Sequence, residues 1–173
     1  MNRIASLGLI VALGLTSACS NRADNLAGST DLNGDRYGYG SGSGADGISN
    51  PASPAYFQAR VGDRVLFPVD TSGLTAEARG ILDGQAQWLS SNPSFTAVIE
   101  GHADEQGTRE YNLALGARRA SAVYDYLISR GISASRLKTV SYGKERPIEV
   151  CSEESCYAKN RRAVTVVTAG AGV

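Results

Sequence analysis

The stretch Gly101-His-Ala-Asp-Glu-Gln-Gly-Thr-Arg-Glu-Tyr-Asn-Leu-Ala-Leu-Gly-Ala-Arg-Arg119 decides the reading of this chain. It sets an acid, Asp104, in a polar loop just before a long helical pattern that carries an inward arginine. The loop follows an apolar, strand-like run, Phe95-Thr-Ala-Val-Ile-Glu100. Thr108 is suited to N-cap the helix, apolar positions recur at Leu115, Val123 and Leu127, and Gly131 stops it. Asn112 and Arg119 lie about two helical turns apart and so share one face, with Leu115, Gly116 and Val123 on or beside it. An arginine among core-side residues is costly unless an anion partners it. Asp104 is the nearest acid in sequence that can both balance Arg119 and help to form a site.

Outward from this stretch the chain alternates. Residues 64–67 read as a short strand, and Pro68 marks it as an end or edge. Leu74, Ala78, Ile81, Leu82, Trp88 and Leu89 mark one face of a helix to about Ser91, closed by Asn92-Pro93. A strand over 95–100, a helix over 108–130 and strands over 137–142 and 163–168 complete the pattern. Strand, helix, strand, helix, strand, strand predicts an α/β fold, a two-layer sandwich of a mixed four-stranded sheet with helices packed on one side.

The pattern Gly101-His-x-Asp104, then Asn112-x-x-Leu115-x-x-x-Arg119-Ala120-x-x-Val123-x-x-x-Leu127, resembles the OmpA-like peptidoglycan-binding domain. The wording Glu110-Tyr-Asn-Leu-Ala-Leu-Gly-x-Arg-Arg-Ala120, with Ser141-Tyr-Gly-Lys-Glu-x-Pro147 and Asn160-Arg-Arg-Ala163, is closer still to its Pal branch, the peptidoglycan-associated lipoproteins of the Tol–Pal system. The resemblance spans residues 55–168 in ordered blocks and agrees with the predicted fold. It implies that Asp104 and Arg119 bind the diaminopimelate side chain of a peptidoglycan stem peptide. That ligand carries an ammonium and a carboxylate on one carbon, which a carboxylate and a bidentate guanidinium can hold. Asn112 is then expected to orient the acid or a backbone group, Leu115 to share the site, and Gly116 to leave room for close approach. Asp70 and Thr71 match the family's Phe-x-x-Asp corner near the same pocket. Ala103 stands where the family usually has threonine, a lost hydroxyl that leaves both charged partners. The lone His102 reads as structural, and Asn160-Arg161-Arg162 as bracing for the loop.

The N-terminus reads as a targeting segment. Arg3 precedes an apolar run, residues 4–15, too short for a membrane-spanning helix of roughly 20 residues. The run ends at Leu15-Thr-Ser-Ala-Cys19, which resembles a bacterial lipobox, with Thr16 where leucine is usual. The resemblance implies acylation at Cys19, with palmitate among the chains, and Ser20 is compatible with sorting to the outer membrane. A signal peptide over 1–18, a lipid-anchored flexible tether over 19–55 and a wall-binding domain over 56–173 are therefore expected. The tether's Tyr37-Gly-Tyr-Gly-Ser-Gly-Ser-Gly-Ala-Asp-Gly47 has no apolar periodicity with which to offset ordering entropy. As a random coil it spans roughly 30 Å, with an extended limit of about 100 Å. Cys151 and Cys156 remain, and in an oxidising periplasm they most simply form a disulfide, worth about 2 kcal/mol at best. The rival readings, a metal site or a redox couple, lack a second ligand pair and a Cys-x-x-Cys spacing.

Lysine and arginine number 17 against 17 aspartate and glutamate, so there is no electrostatic footprint for nucleic acid. The single histidine is too few for a zinc hydrolase. No nucleophile-elbow pattern appears, and the adjacent Asp104 and Glu105 sit in a loop that the family uses for binding. The chain reads as a wall-binding protein that needs no cofactor and no metal, not as an enzyme. Family resemblance further implies TolB and other Tol proteins as partners, and a role in envelope integrity and cell division from the periplasmic face of the outer membrane.

Overall fold

The computed structural model describes residues 45–170; the expected leader, Cys19 and most of the expected tether lie outside that range. In chain order come α1 (Ala45–Ser49), α2 (Pro54–Tyr56), a π-helical turn (Phe57–Gly62), β1 (Arg64–Leu66), α3 (Ala76–Ser91) and β2 (Phe95–His102). They are followed by α4 (Arg109–Ser129), a 3-10 turn (Ala134–Arg136), β3 (Leu137–Gly143), α5 (Glu154–Asn160) and β4 (Arg162–Ala169). The strands form one mixed sheet in the order β1-β4-β2-β3. Strand β4 runs antiparallel to both β1 and β2, while β2 and β3 are parallel. Pro68 follows an edge strand, as its missing N–H requires.

Period-two alternation decides which face is covered. Phe95, Ala97 and Ile99 of β2 and Ala163, Thr165 and Val167 of β4 are buried, and they pack with Leu82 and Leu89 of α3 and Val123 and Leu127 of α4. Thr75 and Thr108 cap α3 and α4 by accepting the N–H groups of Ala78 and Tyr111. Gly131, at φ 92°, takes the left-handed conformation that ends α4. Arg136 closes the other helix, donating to the carbonyls of Leu89 and Asn92.

Two ties fasten the N-terminal helices to this sandwich. Trp88 packs between Phe57 and Phe95 in tilted and edge-on contacts, with centroids 4.9 and 5.0 Å away, and its indole N–H donates to the Pro51 carbonyl. The buried Gln85 donates to the Gly62 carbonyl and accepts the Thr165 hydroxyl at 2.8 Å. Against the sequence expectation, α1, α2 and α5 are additional. Short helices of three to seven residues carry too little periodicity to be read locally.

Candidate functional site

The site begins where α4 touches β2. A Cβ on Gly101 would lie 1.9 Å from the Gly116 carbonyl oxygen, and one on Gly116 would lie 2.4 Å from Ser141 Oγ. Two glycines therefore let the helix and the strand approach backbone to backbone. Gly116 makes room for β2 and not for a ligand, which corrects the expectation from sequence. Ser141 locks the contact by donating to the Leu113 carbonyl at 2.7 Å.

Arg119, one turn further on, is wholly buried. It makes no ion pair with Asp104, contrary to expectation. Its Nε donates to the Thr71 carbonyl at 2.8 Å, Nη1 to the His102 carbonyl at 2.8 Å and Nη2 to the Pro68 carbonyl at 3.2 Å. Burial pulls its pKa down to about 10, while the charge of Asp104 holds it up, so the side chain stays cationic at neutral pH. The bonds to Pro68 and Thr71 pin a turn in which Asp70 adopts φ 54°, an uncommon backbone for a residue other than glycine. The bond to His102 fixes the end of β2, two residues before Asp104. One guanidinium thus holds both acid-bearing segments in register.

Asp104 pairs with Arg161, which donates from Nη1 to Oδ2 at 3.1 Å. Arg161 also donates to the Phe67 carbonyl and to Glu154, the first residue of α5. Burial opposes its charge, but the bonds to Glu154 and Asp104 outweigh that and raise its pKa. The loop itself is braced from several sides. Asn112 donates to the Gln106 carbonyl at 2.7 Å, Lys144 to the Gly107 carbonyl at 2.7 Å, and Asn160 to the Glu105 carboxylate at 2.6 Å. Asp104 Oδ1 accepts the N–H of Gln106 at 3.3 Å.

These segments enclose a depression of about 230 Å³ lined by Val69, Asp70, Asp104, Gln106, Gly107, Tyr111, Asn112 and Leu115. Of the residues singled out in the sequence, Asp70, Asp104, Asn112 and Leu115 meet there. Arg119 is buried behind the lining, and Thr71 is exposed and does not line the depression. Tyr111, whose hydroxyl donates to Asp70, was not anticipated; a tyrosine in the first turn of an amphipathic helix carries no local signal. Asn160 and Arg161 brace the loop as expected, but the choice of Asp104 as the partner of Arg161 was not anticipated. His102 is buried, with its ring 5.5 Å from that of Tyr142 and its Nε2 3.7 Å from Glu100, too far for a hydrogen bond. Neither ring nitrogen has a hydrogen-bond partner, and desolvation lowers its pKa although Glu100 acts in the opposite direction. Cys151 and Cys156 form the expected disulfide.

Comparison with known proteins follows the same lines. Residues 66–161 match the OmpA family. The chain is 49% identical over 172 residues to a peptidoglycan-associated lipoprotein of Rhizobium meliloti (strain 1021), covering 99% of this chain and 93% of that one. It is 53% identical over 126 residues to that of Brucella melitensis biotype 1, covering 73% of this chain and 74% of the relative. The crystal structure of the peptidoglycan-associated lipoprotein from Burkholderia pseudomallei superposes with a TM-score of 0.63 at 36% identity, covering 71% of this chain and all of that one. The chain belongs to the OmpA family and, within it, to the peptidoglycan-associated lipoproteins.

Proposed function

We propose that the depression between Asp70 and Asp104 receives the diaminopimelate end of a peptidoglycan stem peptide. The observation that carries this reading is the pair of carboxylates lining a small polar pocket with a buried guanidinium behind it. The carboxylates suit an ammonium, and the charge of Arg119 favours the neighbouring ligand carboxylate. Asn112 orients the loop through Gln106, Leu115 supplies apolar contact, and Thr71 holds its place through the bond from Arg119. Three of the five guanidinium N–H groups of Arg119 are bonded and the side chain is wholly buried, so a direct bidentate grip would require the lining above it to move. The test is calorimetric titration of the chain without residues 1–18, carrying Cys19→Ser, with a diaminopimelate muropeptide and its lysine analogue. Saturable binding of the first and much weaker binding of the second is expected. Equal binding, or none, overturns the reading.

The same proposal places a multiply acylated Cys19 in the outer membrane, with the residues between Cys19 and α1 as a tether and the folded domain, which α1 and α2 extend beyond the expected start at residue 56, joined to the wall. A single acyl chain holds only marginally, so stable attachment needs more than one. Cys19→Ser is expected to release a soluble periplasmic protein, and fractionation that still finds it in the outer membrane would refute the anchor. Family membership supports TolB as a second partner and a part in the Tol–Pal system during cell division. Co-purification with TolB tests this, and its failure would leave a wall-binding lipoprotein outside that system.

A further inference from the structure

Resting on that reading of the pocket, we infer that Glu154 is a positioning residue for Asp104, held in place by the Cys151–Cys156 disulfide, so that reducing the disulfide weakens binding of ammonium-bearing wall ligands. Glu154 lies between the two bridged cysteines and opens α5, a helix of seven residues. So short a helix is marginal alone. No side chain caps its N-terminus, whereas its C-terminal end is fastened by Asn160, which accepts the N–H groups of Ile148 and Glu149 and donates to the Glu149 carbonyl. The disulfide ties the first turn to the preceding loop. With the bridge closed, Glu154 meets Arg161, and Arg161 is shared between Glu154 and Asp104.

That sharing matters chemically. A guanidinium divided between two carboxylates neutralises neither fully, which leaves negative charge on Asp104 for an incoming ammonium. With the bridge open, the first turn frays, Glu154 moves into solvent and Arg161 commits to Asp104. The ligand's ammonium then has to displace a full ion pair. Reduction needs two electrons, which a dithiol supplies. One thiolate attacks a bridge sulfur to give a mixed disulfide, the second thiolate resolves it, and the protein is left with two thiols while the dithiol becomes a disulfide. Both cysteines are half-buried, so the bridge lies near the surface. The Glu154 side chain is 66% exposed, which limits the effect to about fivefold in affinity.

The test uses the chain without residues 1–18, carrying Cys19→Ser, oxidised or reduced with a dithiol, and titrated with a diaminopimelate muropeptide and with its amine-acetylated form. Oxidised protein is expected to bind about fivefold more tightly than reduced protein and to discriminate more strongly against acetylation. Glu154→Gln, which keeps the bridge, is expected to reproduce the loss in the oxidised state. A Glu154→Asp variant is expected to restore part of it. Equal affinity in both redox states, or an oxidised Glu154→Gln that binds like the parent, overturns this inference alone. Absence of binding in every form overturns it together with the pocket reading.

Discussion

Two arginines hold the acid-bearing segments of the pocket, and they do so in opposite ways. Arg119 is sealed beneath the site and spends its donors on main-chain carbonyls, which do not titrate. Arg161 stands at the flank and spends its donors chiefly on carboxylates, one of them on the surface of α5. Carbonyl anchoring fixes geometry and is indifferent to pH and salt. Carboxylate anchoring fixes charge, and a loop or a bound cation can retune it. The pocket thus has a rigid floor and an adjustable wall.

The largest effect is expected at the floor. Arg119→Ala leaves the buried His102 carbonyl and the part-buried Pro68 and Thr71 carbonyls without their donor, at a cost of about 3 kcal/mol. Denaturant unfolding is expected to record that loss together with loss of wall binding. A result near zero would mean that the floor is not held by this side chain. Next comes Gly101→Ala, which forces α4 off β2 against a backbone oxygen 1.9 Å away and is expected to cost about 3 kcal/mol. If its stability matched the parent, the helix–strand approach would not be a determinant of the site.

At the wall, Asp104→Asn is expected to leave the fold nearly intact while removing about 2–3 kcal/mol of binding to sacculi, measured by co-sedimentation. Unchanged sedimentation would move the ammonium site to Asp70. The smallest effect is at His102, whose neighbours in charge are Glu100, Arg146 and Arg162. Desolvation lowers its folded pKa below the ordinary value of about 6.5, so the unfolded chain binds the extra proton first. Its contribution to stability is present above that pH and falls away as pH drops through the folded value. His102→Gln is expected to flatten the pH dependence of the midpoint on the acid side, and an unaltered slope would assign that dependence to carboxylates.

Much of this was legible before any coordinates. The β2–loop–α4 pattern carried its own caps and its stop, because Thr108 and Gly131 act on neighbours in the chain. The four pocket residues Asp70, Asp104, Asn112 and Leu115 were also legible, the first from family resemblance, Asp104 also from its place in the loop before α4, and Asn112 and Leu115 also from helix spacing. Tyr111, Glu154 and the partner of Arg161 were not. Tyr111 and Arg161 depend on partners far along the chain, 41 residues separating Tyr111 from Asp70 and 57 separating Arg161 from Asp104, and Glu154 matters only through Arg161.

Sequence by itself determined the α/β class, the edge position of β1, the burial of an arginine on α4 and the pairing of Cys151 with Cys156. All of these follow from periodicity, backbone chemistry or counting, which act over a few residues. Only the tertiary structure decided the strand order β1-β4-β2-β3, the meeting of Gly101 with Gly116 and the choice of Arg161 as partner for Asp104. The physical reason is that a charge written in a sequence states a need for a partner without naming one. Which acid meets which arginine is settled by packing, once β4 has been inserted between β1 and β2.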